Sequence, residues 1–169
     1  LKMKHNFFNQ IEMLLFDFDG VLTDNLVHID SNGREFVSCS RADGLAFDVL
    51  SKLEKPVYIL STEENLVVTA RASKLKVPVL QGVHDKEIAL TELARAKGYS
   101  LQNILYVGND LNDYQVMKLC GYTACPADSH VKIKEISDII LNTCGGKGVV
   151  RELLEDAFKL DFVEILYNK

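Results

Sequence analysis

The stretch LLFDFDGVLTD at residues 14 to 24 begins as an apolar run and then places Asp17 and Asp19 one residue apart. An apolar run of this kind makes a buried strand, and in an α/β sheet ligands bind beyond the carboxyl ends of the strands, which is where these two carboxylates stand. Two carboxylates at one site repel each other unless a cation lies between them, and an all-oxygen donor set suits Mg2+. Three further groups follow strand-like runs: Ser61 in YILST, Lys86 in GVHDK, and the acidic loop GNDLND at 108 to 113. The chain between successive groups is long enough for helical crossovers, so all four can converge on one edge of a sheet.

The elements that must position them are legible as short apolar runs alternating with amphipathic segments. VYIL (57–60), PVLQG (78–82), ILYVG (104–108), YTAC (122–125) and DIIL (138–141) read as buried strands. DGLAFDVLSKLE, ENLVVTARASKL, DKEIALTELARAKG and DYQVMKLCG carry apolar residues at helical spacing. The alternation predicts an α/β fold, a Rossmann-like doubly wound parallel sheet with helices on both faces. Residues 26 to 39 interrupt the rhythm with two strand-like runs around DSNG, a hairpin signal, so a flap spanning about 24 to 40 is expected beside the site. No linker divides the chain, which predicts one domain over 1–169 with a C-terminal tail from about 144 to 169.

Composition narrows the function classes. The chain has 169 residues, 47% hydrophobic content and a net charge of −5, with its Lys and Arg scattered, which argues against nucleic-acid binding. Cys39, Cys120, Cys125 and Cys144 form no CxxC pair and have no histidine at metal-ligand spacing, so reduced cytoplasmic thiols are expected. The N-terminal LKMKHNFFNQIEMLLF is broken by Asn9, Gln10 and Glu12, and no later run reaches the length of a membrane span. Leu1 is not an initiator Met, as expected of a processed chain or a piece of a longer one.

The combination of DFDGVLTD, the Ser61 loop, Lys86 and GNDLND, in that order, resembles the haloacid dehalogenase superfamily of phosphohydrolases. The resemblance implies that Asp17 is the nucleophile forming an aspartyl-phosphate and that Asp19 protonates the leaving alkoxide and then activates water. It also implies that Lys86 supplies positive charge beside Asp17, while Ser61 and the Thr62 amide bind a phosphate oxygen. Mg2+ is the implied cofactor, held by Asp17, the Asp19 backbone oxygen and the 109–110 pair. The family usually has Asp after the motif glycine, where this chain has Asn109 followed by Asp110. Asn109 is the expected direct ligand, with Asp110 and Asp113 orienting water or Lys86.

The gaps between motifs leave no room for a cap domain. The chain is therefore similar to the capless branch that releases 3-deoxy-octulosonate and nonulosonate sugars from their phosphates, a resemblance that implies a homotetramer built on the hairpins. RADGLAF (41–47) and CGGKGVVRELLE (144–155) resemble that subgroup, which places Gly146 and Arg151 near an active site, either the chain's own or a neighbour's. Glu63, Arg71 and Lys74 are expected to meet a small-molecule sugar phosphate, an acidic group facing hydroxyls and the two cations a carboxylate. This segment looks more like the nonulosonate 9-phosphate enzymes than the octulosonate 8-phosphate ones, which tend to have Gly-Arg after the motif hydroxyl. Asn109 also resembles the phosphatase-like oligomerisation domain attached to animal sialic-acid cytidylyltransferases. That rival reading is disfavoured because that domain has lost its nucleophile, whereas Asp17 and Asp19 are both present.

Overall fold

The strand that carries the aspartates explains the architecture around it. All four residues of β1 (Met13–Phe16) are fully buried, because the strand is covered on both faces. The computed structural model describes residues 7 to 168; the basic Lys2 and Lys4 of the N-terminal segment lie outside the described residues. Among the described residues no helix is long and apolar enough to cross a membrane.

β1 pairs in parallel with β4 (Val57–Leu60) on one side and β6 (Ile104–Val107) on the other. With β5 (Val79–Leu80), β7 (Tyr122–Cys125) and β8 (Ile139–Ile140) they form a six-stranded sheet in the order β5-β4-β1-β6-β7-β8. The chain moves outward from β1 through β4 to β5 and then returns to the other side at β6. The crevice between β1 and β6 is therefore the switch point where such sheets bind ligands.

Two cores follow from the alternation of side chains along β1. Leu14 and Phe16 join the cluster under α1 (Arg41–Lys52), α2 (Val67–Leu75) and α6 (Val149–Glu152). Met13 and Leu15 face the cluster under α3 (Lys86–Lys97), α4 (Tyr114–Leu119) and α5 (Val131–Ile136). A wider π-helical turn over Leu153–Ala157 and α7 (Phe162–Tyr167) complete the chain, with α1 packing against α6 and α7.

The hairpin pairs only β2 (His28–Ile29) with β3 (Glu35–Phe36), and a Thr23–Cys39 bridge closes its base. Asp30 shapes its tip by accepting the Asn32 and Arg34 amides and the Arg34 guanidinium. The helix expected from residue 64 begins later, at Val67. Glu63 Oε1 caps the Asn65 amide and Asn65 Oδ1 caps the Val67 amide, so local side-chain bonds outcompete a helical start. α5 was not expected, its six residues giving too little periodicity to read.

Candidate active site

The sheet register places the site. The Asp17 amide bonds the Val107 carbonyl at 2.9 Å and the Ser61 amide the Leu80 carbonyl at 2.8 Å, so both residues continue their strands as the ladder ends. Lys86 opens α3, whose N-cap Asp85 accepts the Ile88 amide at 3.0 Å. The Lys86 side chain is thereby drawn under the strand ends and almost wholly buried.

Lys86 Nζ lies 2.9 Å from Asp17 Oδ1 and 2.7 Å from Asp113 Oδ1. Asp113 is a hub. Its Oδ1 also accepts the Tyr106 hydroxyl at 2.9 Å, and its Oδ2 accepts the Asn109 amide at 2.9 Å and the Asp110 amide at 3.4 Å. Every lone pair of a fully buried carboxylate is thus engaged, which is the condition for keeping it there. Burial pulls the Lys86 ammonium down, but the Asp17 and Asp113 charges and hydrogen bonds outweigh it and hold the group above its ordinary range. Asp17 Oδ1 also takes the Phe18 amide at 2.7 Å, which leaves Oδ2 for the cavity that Asp17 lines.

Burial, and then the Asp113 charge, push Asp17 well above the usual carboxylate range against the opposing pull of Lys86. A divalent cation beside the carboxylate would reverse that direction. Asp19 is also raised, first by burial and next by Glu63, with the Thr23 hydroxyl opposing. A carboxyl lifted in this way holds a proton more readily, as a general acid must.

A cavity of about 310 Å3 opens between these groups, lined by Asp17, Asp19, Asn25, Thr62, Asn109, Asp110, Leu111 and Asn112. Gly20, at φ +80°, permits its shape, because a Cβ there would sit 1.9 Å from Asn109 Nδ2. Among the described residues no three His, Cys, Asp or Glu side chains gather as a metal site. The donors that do converge are two aspartates and an amide oxygen: Asn109 Oδ1 is buried without a hydrogen-bond partner. A buried acceptor left unpaired is costly, and a hard cation satisfies it. Asp110 is otherwise engaged, its Oδ1 accepting the Leu111 amide at 2.7 Å as the cap of the following turn. The oxygen set fits Mg2+.

The remaining candidate residues are dispersed. Ser61 is buried at the end of β4, next to the cavity-lining Thr62, its Oγ accepting the Glu63 amide at 3.1 Å, and Glu63 reaches Asp19 through its charge. Arg71 and Lys74 do not line this cavity. With Cys39, Arg41, Gly44 and Asp48 they line another of about 370 Å3, and Arg71 Nη2 is spent on the Ser40 carbonyl at 2.8 Å. α2 buries Val68 and Ala72, and with that face turned to the core Arg71 and Lys74 lie on the side facing α1. Arg151 is committed to Glu155 and lies 4.4 Å over the Phe162 ring, while Gly146 donates its amide to the Val21 carbonyl at 3.0 Å, behind the aspartate turn. Asn25 was not expected in the cavity, whereas Leu111 and Asn112 belong to the 108–113 loop that was. Asn25 directly follows DGVLTD, and its proximity to Asp19 was the available signal.

The chain is similar in sequence and fold to known proteins. A model of the haloacid dehalogenase-like hydrolases matches residues 45–153, a span that contains Ser61, Lys86 and Asn109 and begins after Asp17 and Asp19. The 3-deoxy-D-manno-octulosonate 8-phosphate phosphatase of Haemophilus influenzae is 32% identical over 144 residues, covering 85% of this chain and 80% of that protein. A HAD family hydrolase structure from Streptomyces avermitilis superposes with a TM-score of 0.87 at 41% identity, covering 90% of this chain and 87% of that one. The structure of 3-deoxy-D-manno-octulosonate 8-phosphate phosphatase from Moraxella catarrhalis, in complex with magnesium ion, phosphate ion and a KDO molecule, superposes with a TM-score of 0.84 at 29% identity, covering 89% and 87%.

Proposed function

The chain belongs to the haloacid dehalogenase-like hydrolases, and from that premise we propose a Mg2+-dependent phosphatase of a keto-deoxy sugar acid phosphate, with Asp17 as nucleophile. Phosphatase activity on a sugar phosphate monoester follows from the relatives over most of the chain. The observation that carries the mechanism is the buried Lys86 bridging Asp17 and Asp113 beneath a cavity that Asp19 also lines.

Asp17 Oδ2 attacks phosphorus, the bond from phosphorus to the sugar oxygen breaks, and the Asp19 carboxyl gives its proton to the departing alkoxide. Asp19, now a carboxylate, takes a proton from water as that water attacks the aspartyl-phosphate. The bond from phosphorus to Asp17 then breaks, releasing phosphate and regenerating both residues. Lys86 holds Asp17 in line and offsets the charge of the transferring group; Ser61 and the Thr62 amide orient its oxygens. Asp17, the Asp19 carbonyl and Asn109 would hold Mg2+, which when bound supplies the positive charge that lets an anionic carboxylate approach an anionic phosphate.

The named relatives support 3-deoxy-octulosonate 8-phosphate as substrate. Glu63, whose charge reaches Asp19, supports a nonulosonate 9-phosphate instead, because an acidic group there meets hydroxyls or an amine. No Lys or Arg among the described residues lines the cavity, so the substrate carboxylate must be met from outside it. A homotetramer built on the hairpins provides that outside, and the exposed Leu26, Val27, Ile29 and Phe36 give the hairpin an apolar face to bury.

The test is phosphate release. Asp17→Asn should abolish turnover of p-nitrophenyl phosphate, and chelation of the metal should do so reversibly. Against a panel of octulosonate 8-phosphate, nonulosonate 9-phosphate and hexose phosphates, one sugar acid should exceed the hexose phosphates in kcat/KM by at least tenfold. Full activity in Asp17→Asn would overturn the mechanism, equal kcat/KM across the panel the substrate class, and a monomer by light scattering the assembly.

A further inference from the structure

Asn25 has a left-handed backbone conformation. Its φ is +64°, in the left-handed region where glycine is the cheapest residue and Asn one of the few tolerated alternatives. The turn imposes this. Thr23 Oγ1 accepts the Asn25 amide at 3.2 Å and the Gly20 amide at 3.2 Å, and donates to Asp19 Oδ1 at 3.4 Å. One hydroxyl therefore ties the position of Asn25 to that of Asp19. The side chain of Asn25 is exposed, lines the cavity, and makes no hydrogen bond among the described residues.

We propose that Asn25 is a specificity-determining residue, its carboxamide recognising a hydroxyl on the carbon next to the one that bears the phosphate. The inference rests on the reading of Asp19 as the group that protonates the leaving oxygen. If Asp19 faces the ester oxygen, a side chain fixed to the same turn faces the first carbons of the leaving group. A carboxamide donates and accepts, as a hydroxyl does, so the pair is complementary without charge. A cation at this point would be drawn to the phosphate, and a carboxylate would repel it. Asn112, also on the cavity wall, adds a second neutral amide for a polyol.

Glycine provides the control, because Asn25→Gly keeps the left-handed backbone and removes only the amide. Glycerol 3-phosphate and n-propyl phosphate differ only in the hydroxyls of the leaving group. For the unmodified enzyme kcat/KM should favour glycerol 3-phosphate, and in Asn25→Gly that preference should fall about five- to tenfold, the worth of one neutral hydrogen bond. Asn25→Asp should lower kcat/KM for both esters by repelling the phosphate. An unchanged or increased preference in Asn25→Gly, or an equal loss on both esters, would overturn the proposal. Failure of the sugar acid panel with the glycerol preference intact would overturn only the substrate class and leave the role of Asn25 standing.

Discussion

Asp43 offers a quantitative test of how the C-terminal segment is anchored. It lies in the first turn of α1, 1% exposed, and its Oδ1 accepts the Arg151 amide at 3.1 Å at the start of α6, while Oδ2 is buried without a partner. Burial, opposed by the Arg151 and Val150 amides and the Arg71 charge, pushes its carboxyl from 3.8 up to about 6. The native state therefore keeps a proton that the unfolded chain loses, and stability falls as pH rises from about 4 to about 6 and is level above that. At 1.36 kcal/mol for each unit, the whole titration costs about 3 kcal/mol, roughly half of it between pH 5 and 7. Asp43→Asn keeps an oxygen for the amides and removes the ionisation. In urea unfolding across this range, the stability of Asp43→Asn relative to the unmodified protein should rise by about 1.5 kcal/mol from pH 5 to 7. A difference that stays flat, or that turns against Asn at the higher pH, would show that folded Asp43 holds no extra proton.

Lys86→Met leaves Asp17 and Asp113 buried side by side without their cation. It should destabilise the fold by about 3 to 5 kcal/mol in denaturant titration and lower kcat by at least about 100-fold. Asn109→Asp adds a carboxylate where an unpaired amide oxygen now stands, so Mg2+ affinity by calorimetric titration should rise. Asp110→Ala should weaken it less than Asp17→Ala does, because Asp110 serves the Leu111 amide. Gly145→Ala would place a Cβ 2.2 Å from the Gly20 carbonyl. The displaced turn should cost about 2 kcal/mol of stability and about 100-fold in kcat, measured on an alkyl phosphate.

The sheet was readable because its signal is strong: each strand is a short apolar run between turn formers, and burial on both faces demands nothing subtler. Its strand ends were readable for the same reason, which is how Asp17, Ser61 and Asn109 are found on one edge. Positions set by local side-chain bonds were not. The Glu63 and Asn65 caps delay α2 to Val67, and Arg71 and Lys74, expected near the site, face α1 because α2 buries Val68 and Ala72. The Asp43 contact with Arg151 joins residues 108 apart in the chain, and only the packing of α6 on α1 reveals it. Asn25 was missed because a left-handed Asn reads as an ordinary turn residue until its neighbours are known.

The two aspartates differ in what fixes them, and the difference matches the work proposed for each. Asp17 is held rigidly: its amide is in the sheet ladder, its Oδ1 is bound by Lys86 and the Phe18 amide, and Asp113 fixes Lys86 from below. Asp19 is held by a turn, through the Thr23 hydroxyl at the longer distance of 3.4 Å. That turn is in turn braced by Gly145, whose amide is bound by Asp128 Oδ1 at 2.9 Å in the loop after β7. A nucleophile gains from a single fixed approach to phosphorus. A group that first gives a proton to one oxygen and then takes one from another gains from a looser hold. The loop after β7 thus reaches the acid–base group without touching the cavity, so substitutions at Asp128 should alter protonation of the leaving group before they alter attack by Asp17. Asp128→Ala should accordingly slow p-nitrophenyl phosphate, whose leaving group needs little protonation, less than it slows an alkyl phosphate. Equal slowing of the two would place the brace behind both steps.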